Sequence, residues 1–234
     1  DAIAEAAIAE LSRLGATVVD PADIPNVADA FDPEFTVLLF EFKADIAAYL
    51  SELERTSMRT LADLIAFNEA NPDPELRWFG QEVFLQSEAT GGTADPAYAE
   101  ALATSKRLAT EGIDQTLARF DLDAIVSITD SPPWTTDLVN GDHFLTASST
   151  PSAVAGYPNL TVPAGFSFGE LPVGINFIGR RCQALIGPTC EIAKGPRQRR
   201  RVREGVIPTF TEIRGKKYGS NLHHICQWSV VRGQ

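Results

Sequence analysis

The 234-residue chain has no run of about 18 apolar residues, the length a membrane-spanning helix needs, and no basic-then-apolar leader. A soluble protein is expected, in the cytoplasm. It also has no Gly-x-Ser-x-Gly elbow, no glycine-rich phosphate loop and no internal repeat, so the usual marks of α/β-hydrolases and nucleotide binders are missing. Gly91-Gly92 stands apart and reads as a helix terminator. Cysteine and histidine are scarce: all three cysteines (Cys182, Cys190, Cys226) and two of three histidines (His223, His224) lie beyond residue 181. Positive charge is scarce before that point as well. Residues 1–181 hold 10 Lys+Arg against 28 Asp+Glu, whereas residues 182–234 hold 10 against 3, so the net charge of -11 averages two unlike segments. The hydrophobic content of 44% suits one sizeable folded domain or two small ones.

The richest signal lies between Ser148 and Gly179. Thr150 is placed to cap a short helix, Pro151 suits its first position, and Gly156 suits a left-handed end. Leu160–Val162 and Val173–Ile178 then read as buried strands joined by a loop punctuated by Gly169 and Pro172.

Upstream, Ala2 to Leu14 reads as a helix with Ile3, Ala7, Ile8, Leu11 and Leu14 on one face, followed by the strand Ala16–Val19. This helix-to-strand step suggests a parallel or mixed sheet. Phe35, Leu38, Leu39, Phe42, Ile46, Tyr49, Leu50 and Leu53 recur at helical spacing over 34–53. Thr60 caps a third helix with Asp63 placed for a capping box, and Asn71–Pro74 reads as a turn. A fourth helix runs from Pro96 to about Phe120, loosened at Gly112, and leads into the strand Ala124–Ile128. The fold class expected is α/β, a mixed β-sheet flanked by helices, incomplete, with an irregular C-terminal tail.

Ligands in open α/β sheets lie beyond the carboxyl ends of strands, so the loop after Ile128 is the expected place for substrate contacts. The candidates are Thr129, Asp130, Trp134, Asp137, Asn140 and Asp142: Trp134 as a pocket wall, the polar groups to orient an amide or free amine. Turn and cap roles explain the same residues, since Asn140-Gly141 is a standard turn dipeptide. Ser148-Ser149 precedes a helix start and reads as capping rather than nucleophilic. A Ser/His/Asp triad would require His143 with Asp130 or Asp142. Lys43 and Lys106, the only lysines before residue 181, read as solvated helix-surface charges.

Ala155-Gly-Tyr-Pro158, Val162-Pro-Ala-Gly165, Leu171-Pro-Val-Gly174 and Gly179-Arg180, with Glu41-Phe-Lys-Ala-Asp45, Arg59 to Asn68, Phe79-Gly-Gln-Glu82 and Asp137 to His143 upstream, resemble the amidase signature family. The resemblance covers about residues 1–180. It implies a hydrolase that converts a carboxamide to acid and ammonia by an acyl-serine intermediate, without metal or cofactor. It also implies a lysine and two serines, one within a Gly-Ser-Ser-Gly-Gly-type segment, and nothing in this chain matches that segment. No catalytic residue is therefore assigned, and the chain alone is expected to be inactive. The opening Asp1 and the missing segment make it a fragment in this reading, the C-terminal half of an amidase.

Residues 182–234 form a basic, Cys- and Arg-rich segment without the family pattern, expected to be frameshifted and poorly ordered. Zinc ligation by Cys182, Cys190, His223 or His224 and Cys226 is the alternative function, though these spacings match no compact zinc module. Nucleic-acid binding through Arg197 to Arg203 is the other alternative, opposed by the acidic domain beside it. A subunit of a tRNA-dependent amidotransferase is a third, and would need partner subunits. The expected partner is a small-molecule amide; a homodimer is left open, and no membrane contact is expected.

Overall fold

The structure, a computed structural model, describes residues 2–180 and 229–232. The zinc and nucleic-acid candidates, Cys182 to Cys226 and Arg197 to Arg203, lie outside the described residues. The chain divides into two compact units, one of residues 28–108 and one of residues 1–27 with 109–234.

The second of these units is built on a five-stranded sheet. Its strands are β1 (Thr17–Val19), β2 (Ala124–Ile128), β3 (Asn159–Ser167), β4 (Leu171–Ile178) and β5 (Ser229–Arg232), in the order β1-β5-β2-β4-β3. Every pairing between these strands is antiparallel, so the parallel pairing suggested by the opening helix-to-strand step is not seen among them. The reason is topological: the strand beside β1 is β5, which runs back against it. β5 lies in the segment expected to be irregular, and its Val230-Val231 pair is β-branched, as extended backbone favours.

β2 is buried along most of its length because both its faces are covered. Ile125 packs with Ile113, Leu117, Leu122, Ile178, Ala22 and Ile24 on one side. Ala124 and Val126 pack with Ile175, Phe177, Ala7 and Leu11 on the other, where α1 (Ala2–Arg13) lies. A continuous apolar run is what a doubly covered strand requires. β3 alternates exposed and half-buried positions instead, as an edge strand does, and this edge place is what admits Pro163.

The sequence expects α6 to loosen at Gly112, yet α6 (Pro96–Arg119) is continuous there. Glycine is needed for close approach: a Cβ at 112 would sit 2.7 Å from the Pro25 carbonyl oxygen. The short helix α7 (Thr150–Ala155) has Ser149, not Thr150, at its N-cap, and Ser149 makes no side-chain capping bond. Gly156 ends it in the left-handed region at φ 72°, as expected.

The unit of residues 28–108 is helical. α2 (Phe31–Ser51) buries Val37, Phe40 and Leu50, while Phe35, Leu38 and Tyr49 of the predicted apolar face are exposed. The helix is apolar nearly all round, so spacing alone could not choose the buried face. α3 (Leu61–Ala70) carries the predicted capping box: Thr60 Oγ1 accepts from the Asp63 amide at 3.2 Å and Asp63 Oδ2 accepts from the Thr60 amide at 2.9 Å. The predicted turn at 71–74 is a single helical turn, α4 (Pro72–Glu75), and α5 (Glu82–Glu88) follows. Lys43 is not a solvated charge. Its ammonium donates to the carbonyls of Glu88 and Thr90 at 2.6 and 3.1 Å, at the end of α5 where orphan carbonyls favour a cation.

A candidate substrate cleft beyond β2

At the carboxyl end of β2 the side-chain pattern changes from apolar to polar. Ser127, Asn176 and Thr161 stand in register across β2, β4 and β3. Asn176 Oδ1 accepts from Thr161 Oγ1 at 2.5 Å, and Ser127 Oγ lies 3.1 Å from Ser148 Oγ. Ser148 also donates to the Ile128 carbonyl at 3.1 Å and is buried. The paired serine is therefore a fastener, holding the return of the 129–148 loop against the strand it left. Asp130 pairs with Ala147 in an isolated antiparallel bridge, and the Ser131 amide donates to the Thr146 carbonyl at 3.1 Å.

This clamp opens a cleft of about 510 Å³. Ile128, Leu145, Phe166, Phe168 and Val173 supply apolar walls, Ile3 closes one side, and Asp130 is the one charged residue lining it among the described residues. The Asp130 carboxylate accepts from the Ser131 amide at 2.7 Å and from Ser131 Oγ at 3.1 Å, both on Oδ1. A volume in the hundreds of Å³, apolar walls and few polar groups are the usual properties of a small-molecule site.

Of the six sequence candidates, Asp130 alone lines this cleft. Thr129 sits beside it, its amide donating to the Gly174 carbonyl at 2.9 Å and its hydroxyl facing Thr161. The other four form two hydrogen-bonded pairs farther along the loop, Asp137 with Asn140 and Trp134 with Asp142. Asp137 accepts from the amides of Val139 and Asn140, each at 2.9 Å, and from Asn140 Nδ2 at 2.8 Å. Those bonds, the Asn140 side chain first, hold its carboxyl well below the usual carboxylate range. Trp134 Nε1 donates to Asp142 Oδ1 at 3.1 Å, and its ring meets Phe144 edge-on at 6.2 Å. His143 Nε2 lies 3.4 Å from Asp137, so its partner is neither Asp130 nor Asp142 and the triad arrangement is not formed.

Leu145, Phe166 and Phe168 carry no assignment from the sequence, and Val173 is expected there only as part of a buried strand. Phe166 and Phe168 flank the tip of the β3–β4 hairpin, and both are exposed. Phe168 has a φ of 51° beside Gly169 at 80°, and the Glu170 amide closes that turn on the Ser167 carbonyl at 3.2 Å. A bulky residue held in the left-handed region is strained, and such strain clusters at binding sites.

Among the described residues no helix is long and apolar enough to cross a membrane, and no group of three or more His, Cys, Asp or Glu side chains is placed to hold a metal.

The family model for amidases matches residues 1–184, ending close to the point where the charge balance reverses. A probable amidase of Arabidopsis thaliana is 38% identical over 179 residues, which is 74% of this chain and 32% of that protein. The crystal structure of the native peptide amidase from Stenotrophomonas maltophilia is 43% identical, with a TM-score of 0.65, over 77% of this chain and 36% of that one. The peptide amidase PAM in complex with its competitive inhibitor chymostatin is 44% identical, with a TM-score of 0.68 over the same shares. The chain spans about a third of the length of these relatives.

Proposed function

The chain belongs to the amidase family, and from that premise we propose that it supplies the substrate side of a carboxamide hydrolase. The reaction adds water to an amide, releases ammonia and leaves an acid, by way of an acyl-serine intermediate. No Gly-Ser-Ser-Gly-Gly-type segment occurs in the 234 residues. The nucleophilic serine, the bridging serine and the lysine belong in this reading to polypeptide outside them, and the chain alone releases no ammonia. Its contribution is the cleft beyond β2, whose apolar walls hold the acyl portion of the amide while Asp130 reads a polar group upon it. The pairs Trp134–Asp142 and Asp137–Asn140 keep the loop in the shape that forms the cleft wall. Peptide amides are the proposed substrate class, by similarity to the peptide amidases.

The observation that carries this reading is a ligand-sized cleft at the carboxyl end of a central strand, formed within the family-matched residues. The test is to measure ammonia release from peptide amides by the chain alone, and by the Stenotrophomonas maltophilia peptide amidase carrying residues 2–180 in place of its matched segment. None from the first and turnover by the second are expected. Turnover by the chain alone, or an inert but folded transplant, refutes the reading.

A further inference from the structure

We infer that the cleft beyond β2 selects amides that carry a positively charged ammonium group next to an apolar side chain, with Asp130 as the residue that recognises the charge. This rests on the amidase reading of the same cleft and adds the class of substrate.

Both donors that fix the Asp130 carboxylate fall on Oδ1. Oδ2 has no donor among the described residues, so one acceptor of an ionised carboxylate is left for a ligand. Ser131 holds the group in a set direction without neutralising it, since an amide and a hydroxyl bring no charge. Among the described residues no Lys or Arg lines the cleft to compete for that oxygen.

The walls fit the rest of the molecule. Phe166 and Phe168 both line the same cleft, and Phe168 is 88% exposed. An ammonium beside phenyl rings gains cation–π attraction as well as the ion pair. An apolar side chain on the ligand meets Leu145, Ile128 and Val173. A free carboxylate in place of the ammonium would stand against Asp130 and be rejected.

The experiment measures binding of two probes to the full 234-residue chain at pH 6: phenylalaninamide, which is cationic, and N-acetylphenylalaninamide, which has the same side chain and amide but no charge. Phenylalaninamide is expected to bind roughly fivefold more tightly, the upper range for an ion pair that solvent reaches. Asp130→Asn keeps the Ser131 contacts and should erase the difference by weakening the cationic probe alone. Raising the salt to 0.5 M should shrink the preference in the unaltered chain, a check that needs no variant. Equal affinities, a preference for the acetylated probe, or a preference that survives Asp130→Asn overturns the inference.

The amidase reading fails separately. A transplant that hydrolyses both amides without preference for the cationic one sinks the charge recognition and leaves the amidase function standing. A folded, inert transplant, with the chain still preferring phenylalaninamide, does the reverse.

Discussion

The Thr129 amide donates to the Gly174 carbonyl at 2.9 Å, while a Cβ built on Gly174 would lie 2.6 Å from Thr129 Oγ1 and 2.7 Å from Thr161 Cγ2. Both neighbours are β-branched and stiff at χ1, so neither can turn away cheaply. Gly174 is therefore where the end of β2, β3 and β4 are drawn together beneath the cleft. Gly174→Ala should destabilise the chain by about 1–3 kcal/mol, read from a urea midpoint. Adding Thr129→Ala should recover part of that loss, and strictly additive effects would argue against the packing described.

At the hairpin tip the strain of Phe168 predicts a trade of stability against binding. Phe168→Asn or Phe168→Gly suits the left-handed backbone and should stabilise by about 1 kcal/mol. The same change removes a cleft wall, so affinity for phenylalaninamide should fall. A variant that gained stability with unchanged affinity would place Phe168 outside the site.

Asp137 makes the loop sensitive to acid. Its carboxyl is held below the ordinary value of 3.8, first by the Asn140 side chain and then by the amides of Asn140 and Val139. A carboxyl lowered in the folded state contributes stability that is present above the unfolded value and lost as pH falls through the folded one. The Val139 and Asn140 amide resonances should therefore keep their hydrogen-bonded shifts from neutral pH to below 3.8. Asp137→Asn should abolish the acid transition of those two amides and leave that of the Asp63 capping box in place.

In the helical unit, Thr60→Ala removes the hydroxyl that accepts the Asp63 amide. The expected cost is about 1 kcal/mol in that unit, measured by hydrogen exchange along α3.

The sequence made legible what depends on local chemistry. The Thr60 box, Gly156 at the end of α7 and the apolar run of β2 each follow from spacing and residue type. It did not make legible what depends on partners far along the chain. Lys43 looked solvated because the carbonyls it caps belong to Glu88 and Thr90, more than forty residues away. Gly112 looked like a weak point because Pro25, which needs the space, comes from another segment. The site followed the same division. A cleft beyond Ile128 could be argued from strand direction, and Asp130 lines the one found there. Trp134, a pocket wall by residue type, and Asp137, Asn140 and Asp142, polar groups suited to orient an amide, share the loop with Asp130, but their hydrogen bonds join Trp134 to Asp142 and Asp137 to Asn140. Ile128 and Leu145 are near in sequence, but Phe166 of β3, Phe168 at the hairpin tip and Val173 of β4 reach the cleft only through strand pairing.

The most direct measurement is the initial rate of ammonia release from a peptide amide by the peptide amidase carrying residues 2–180 in place of its matched segment. This chain's cleft as the substrate side of an amidase predicts turnover within about a hundredfold of the parent enzyme, a loss of less than about 3 kcal/mol in transition-state stabilisation. A soluble, folded transplant with no turnover above background would contradict it.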